Sequence, residues 1–211
     1  YNMKIEHYFK KLKKSNEFVE FMKSDPGAYF CSAFFMRDFQ GNHNETQLDY
    51  YSPKTKKITS FKVDKGVQKT PLQKSPETIL HKKFTPKKLD ENIKLDLDVI
   101  KPTILNEMHN RGLTDNIQKL LMILHYMDDI CIWNCTGFLS GLGLLQCHVE
   151  DSSGTVLYME KKSFLDMMKF VGGGGFPAPK LVGNLDKNIS PDEELEEQSE
   201  INPDKKQTKK K

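Results

Sequence analysis

The chain has 211 residues, 37% of them hydrophobic, with 32 Lys and Arg against 29 Asp and Glu, and a pI near 8.5. That length suits one medium domain or two small ones, and the hydrophobic share is low for a globular chain but above that of a disordered one. The charge falls short of the footprint of a committed nucleic-acid binder, and no run approaches the ~20 apolar residues of a membrane span.

The charge is uneven. Residues 1–100 carry 19 basic against 13 acidic side chains, residues 101–183 carry 7 against 8, and residues 184–211 carry 6 against 8. Tyr1–His7 lacks the apolar h-region of a signal peptide, with Met3 as a possible start. Cys31, Cys131, Cys135 and Cys147 all lie in apolar runs. They read as reduced, small hydrophobes, which points to the cytoplasm.

Residues 3–24 show helical spacing in Ile5, Tyr8, Phe9, Leu12, Val19 and Met22. Ser15-Asn16 divides this helix, and Asp25-Pro26-Gly27 ends it. Tyr29–Met36 is an aromatic, buried-type strand. Gln47–Tyr51 and Ile58–Val63 follow as a hairpin around the turn Pro53–Lys56. Residues 64–97 contain Pro71, Pro76 and Pro86 and many lysines, so they read as a connector. Within it Ile79-Leu80 forms a short docking turn, and Ile93, Leu95 and Leu97 alternate like an edge strand.

A helix is predicted from an N-cap at Asp98, with Pro102 in its first turn and a stop at Asn110-Arg111-Gly112. Thr114 caps a second helix with the stripe Ile117, Leu120, Leu121, Leu124 and Met127, ending at Asp128-Asp129. Ile130–Leu139, Leu144–Val149 and Val156–Met159 read as a meander with turns at Ser140-Gly141 and Ser153-Gly154. Phe164, Met167, Met168 and Phe170 form a last short amphipathic helix. Gly172–Gly175 opens a flexible linker, and the charged tail beyond it buries too little to offset its ordering entropy.

The segment His148-Val149-Glu150-Asp151-Ser152-Ser153-Gly154-Thr155-Val156-Leu157 resembles a PepSY-type hairpin. In that family an Asp-x-x-Thr-Gly turn joins two strands packed on a helix. Ser153 stands where Thr is usual, one residue nearer to Asp151 than in that pattern, and Pro53–Ile58 matches only in outline. The likeness covers about residues 100–160 and, more loosely, 5–63. It implies a shape shared with PepSY-like and cystatin-like proteins, which are mostly interaction modules. The physical reading of the motif is local: Asp151 accepts backbone N–H bonds across the turn and Gly154 supplies a positive φ.

No motif carries specific catalysis. Cys131, Cys135, Cys147 and His148 form the one possible metal cluster, but they lie on strands rather than on the tight knuckles zinc prefers. His125 beside Asp128 and Asp129 is the first place to look for a general base; a histidine near a helix C-terminus is favourable in any case. Gly137–Gly143 fits neither a nucleophile elbow nor a phosphate loop. The sequons at Asn44 and Asn134 are discounted for lack of an export signal. Lysine clusters at 10–14, 54–57, 82–88 and 205–211 form a basic surface, with Tyr50 and Tyr51 nearby for base stacking.

These readings define an α+β fold of two similar helix-plus-antiparallel-meander units with a disordered C-terminal tail. The units span residues 1–65 and 98–170, joined by a basic connector over 66–97 and followed by a linker and tail over 171–211. They face each other or share one sheet. The expected function is a non-enzymatic protein-interaction or structural module that uses a sheet face or edge, with no cofactor, no metal and no membrane. The alternative is weak RNA or ribosome association through Lys10, Lys11, Lys13, Lys14, Lys54, Lys56 and Lys57. An enzyme with a site between the units comes third.

Overall fold

The chain opens with a broken helix because Ser15 caps its second half. α1 (Ile5–Lys13) and α2 (Asn16–Ser24) meet at Ser15, whose Oγ accepts the Phe18 amide at 3.2 Å. Asp25 closes α2 through its N–H to the Phe21 carbonyl. In the computed structural model, residues 4–41, 43–71 and 85–163 are described. The docking turn at Ile79-Leu80, the helix read over Phe164–Phe170, the linker and the tail lie outside these residues.

Eight strands follow: β1 (Tyr29–Asp38), β2 (Glu45–Ser52), β3 (Lys57–Lys62), β4 (Gln68–Pro71), β5 (Ile117–Met127), β6 (Ile130–Leu139), β7 (Gly143–Glu150) and β8 (Val156–Ser163). They form one antiparallel sheet in the order β4-β3-β2-β1-β5-β6-β7-β8. Each meander starts at the centre and winds outward, so β1 and β5 meet as the seam, with Ala33 opposite Leu124 and Phe35 opposite Met122. A third helix, α3 (Leu97–Asn110), precedes β5. With three helices among the described residues and an antiparallel sheet, the fold is α+β.

The helices cover one sheet face because every second strand residue turns apolar toward them. Phe18 and Phe21 of α2 pack edge-on against Phe61, at ring-centroid distances of 5.4 and 5.3 Å. Phe9 of α1 meets Phe30 at 5.0 Å. Ile100, Ile104 and Met108 of α3 join the same core as Trp133, Cys147 and Val149. Across the seam Phe35 and Trp133 lie 5.7 Å apart and both are fully buried.

Several expectations are corrected. The stripe Ile117–Met127 is not a helix but β5, the longest strand. Its apolar run fits both periods, and pairing on both sides with β1 and β6 outweighs the helix preference of Leu, Met and Lys. The Ile93–Leu97 stretch is not an edge strand: it is irregular up to Asp96, the N-cap of α3. The edge is instead β4, within the supposed connector, and Pro71 at its end fits an edge position. The expected repeat matched Tyr29–Met36 with Ile130–Leu139. The sheet does not establish it: β1 is the first strand of its meander and β6 the second of its own.

Candidate binding face

Alternation that turns one set of side chains to the helices turns the other set away. In register across the seam, that second face carries Phe34, Ile123, Asn134, His148 and Tyr158. The neighbouring row is Met36, Leu121, Thr136, Gln146 and Glu160. Ile123 and Tyr158 are 40% and 38% exposed, and Phe34, Met36 and Leu121 are half-buried. The His148 and Tyr158 rings sit 5.1 Å apart. Burial, and then the charge of His125, lowers the His148 pKa. The result is an apolar centre bordered by polar groups.

On the β1–β3 side the same face holds a buried carboxylate. Asp49 accepts from Ser60 Oγ at 2.6 Å, Ser32 Oγ at 2.7 Å and Gln47 Nε2 at 2.9 Å. Three neutral donors do not fully replace water, so burial raises its pKa above the ordinary 3.8. A carboxyl raised in this way favours folding when protonated. That contribution is complete below the unfolded value and is lost as pH rises through the folded one. Asp49→Asn, neutral throughout, is therefore expected to gain stability relative to the parent as pH climbs from about 3.9. Urea midpoints of both proteins between about pH 3 and 7 measure this, and a constant difference between them would refute it.

The groups singled out for chemistry do not assemble. His125 lies in β5, not at a helix end, and its Nδ1–H donates to the Tyr126 carbonyl at 3.0 Å. Asp128, with φ of 55°, and Asp129 form the β5–β6 turn, where Lys87 pairs with Asp129. Cys135 stands opposite Cys147 on the helix side, whereas alternation puts His148 on the other face. Cys131 and Cys135 are four strand residues apart, about 13 Å, too far to share one ion. Burial pushes the Cys31, Cys131 and Cys147 thiols up to about 12, and Cys135 is likewise raised, so all four resist the thiolate form.

The lysines proposed for RNA fall in two regions of the chain, α1 with its C-cap and the β2–β3 turn with the start of β3. Lys10 pairs with Glu6, Lys11 donates to the Asp64 carbonyl and Lys13 pairs with Glu91, while Lys14 caps the end of α1. Lys54 and Lys56 lie in the β2–β3 turn and Lys57 begins β3.

The turn at Asp151–Gly154 does more than shape a hairpin. Gly154 takes the expected positive φ of 72°. Glu150, not Asp151, serves the turn hydroxyls of Ser152 and Ser153, at 2.8 and 2.7 Å. Asp151 reaches away, accepting the Lys94 and Leu95 amides at 3.0 and 3.2 Å and the Trp133 indole at 2.9 Å. Sequence reasoning saw Asp151 only as a turn residue, and it missed Asp49 and Arg37. The signal for the latter two was a charged residue at a position flanked by apolar strand neighbours.

No family model and no curated protein matches the chain. Among solved structures, a "putative lipoprotein" from Clostridium difficile 630 is similar at a TM-score of 0.45 and 15% identity, covering 70% of this chain and 91% of that one. A likeness that weak carries no argument about this protein. Among the described residues, no helix is long and apolar enough to cross a membrane.

Proposed function

We propose that this chain is a non-enzymatic binding module whose sheet face opposite the helices contacts another protein. The observation that carries this reading is the in-register apolar centre of Phe34 and Ile123 beside Met36 and Leu121, rimmed by Tyr158 and His148. An aromatic and aliphatic core with a polar rim is what a protein partner requires. The likeness to PepSY-type hairpins, a shape common in interaction modules, points the same way.

The test is a pull-down with the full chain and two variants, Ile123→Glu at the centre of the face and Leu142→Glu in the β6–β7 turn. Leu142 is 72% exposed and lies outside both rows. A specific partner is expected to be lost about thirty-fold with Ile123→Glu, kept with Leu142→Glu, and retained after nuclease treatment and at high salt. Equal capture by both variants would exclude the face. Capture that disappears with nuclease would transfer the function to RNA binding.

A further inference from the structure

We infer that the cavity between α3 and the β1–β5 seam binds a small aliphatic carboxylate, its chain among the apolar walls and its charge at Lys101 and Arg37. This cavity is on the helix side of the sheet, so the inference stands apart from the reading of the opposite face.

The cavity has a volume of about 290 Å³ and is lined by Phe39, Leu97, Pro102, Leu120 and Met122 together with Arg37, Asp98 and Lys101. At about 30 Å³ per site, water's share of the liquid, that is room for about ten non-hydrogen atoms. Ligand sites are commonly apolar chambers with a few placed polar groups.

The charges here are unusual. Arg37 is only 6% exposed. Its guanidinium donates to the Met36 and Glu45 carbonyls at 2.8 and 3.1 Å, to Tyr8 Oη at 3.0 Å and to Thr46 Oγ1 at 3.3 Å. All four acceptors are neutral, and among the described residues its buried Nε–H has no partner; the Asp64 carboxylate acts on the guanidinium through its charge but forms no ion pair with it. Buried arginines are ordinarily matched by a carboxylate. Among the described residues no carboxylate forms an ion pair with Arg37.

Lys101 adds a second cation, its ammonium 3.4 Å from the Phe39 ring centroid. Burial lowers its pKa, as expected of an ammonium denied full hydration. Leu97 and Asp98 are the first two residues of α3, and its N-cap Asp96 supplies no side-chain hydrogen bond. The positive end of the helix dipole therefore also opens on the cavity. Asp98 offsets part of this charge but forms no ion pair with Lys101 or Arg37 among the described residues. The lining carries two cationic side chains, Arg37 and Lys101, against the one carboxylate of Asp98, so a single bound anion would balance it. The apolar walls exclude inorganic anions in favour of one that carries a hydrocarbon body. Lys101, on a flexible stem, is the group that can turn from Phe39 to meet it, with Arg37 as a fixed charge behind.

Octanoate, with ten non-hydrogen atoms, is the probe. Isothermal titration of the full chain is expected to show saturable one-to-one binding, with 1-octanol at least ten-fold weaker. Lys101→Gln, which alters a partly exposed side chain, should keep the thermal midpoint and weaken octanoate about ten-fold. Absence of saturable octanoate binding, equal affinity for 1-octanol, or unchanged affinity in a folded Lys101→Gln protein would each overturn the inference.

Discussion

Replacing Asp151 with alanine is expected to destabilise the protein by about 3–5 kcal/mol, because it strands three donors at once. The Lys94 and Leu95 amides and the Trp133 indole all end on this one buried carboxylate. The bond to Trp133 holds the largest fully buried side chain of the core, and the two amide bonds hold the segment leading into α3. Losing the acceptor thus loosens both the sheet and the entry of a helix. Urea denaturation measures the total, and hydrogen exchange at Lys94 and Leu95 locates it. Trp133→Phe separates the parts, since it removes the indole donor while keeping most of the ring. Its effect should be strongly non-additive with Asp151→Ala. A loss under about 1 kcal/mol, or exchange protection unchanged at Lys94 and Leu95, would refute this account.

Phe61→Ala should cost a comparable amount, about 3–5 kcal/mol, by a different route. Phe61 is fully buried and forms the floor on which α2 rests, touching the rings of Phe18, Phe21 and Tyr50. Truncation leaves an aromatic-sized void beneath a nine-residue helix that is too short to persist in water by its own propensity. Exchange should therefore rise first in the α2 amides, before the global transition. Uniform protection across α1, α2 and β5 in the variant would show that the ring is not what holds α2 down.

Much of this architecture was legible in local pattern. Ile130–Leu139 was read at its observed ends, and Tyr29–Met36 within two residues. Such strands announce themselves through alternation bounded by turn residues. Ser15 was visible as a helix break because a serine before a fresh apolar stripe caps it. The misreading of Ile117–Met127 has the opposite cause. Leu, Met, Gln and Lys favour helix, and nothing within those eleven residues records that β1 waits on one side and β6 on the other. β4 was missed for the same reason, since Gln68–Pro71 has no apolar alternation of its own and is a strand only through pairing with β3.

The candidate sites divide in the same way. The open face was foreseen in kind, since an antiparallel sheet with helices on one side leaves the other to solvent or a partner. Its composition was not, because Phe34, Ile123 and Tyr158 come together only when β1 and β5 meet at the seam. Arg37 could be flagged as a charge in phase with Ala33 and Phe35, but its burial without an ion pair among the described residues depends on what α1 and α3 bring over it.

By itself the amino-acid order determined the short-range features: where the helices break, where most strands begin and turn, and which glycine takes a positive φ. Those follow from sterics and hydrogen bonding within a few residues. The joining of two meanders through β1 and β5, the conversion of a helix-prone segment into a central strand, the long reach of Asp151 and the deep burial of Arg37 were decided only by tertiary structure. Each depends on groups distant in the chain, whose desolvation and pairing energies exceed any local preference once they are brought together.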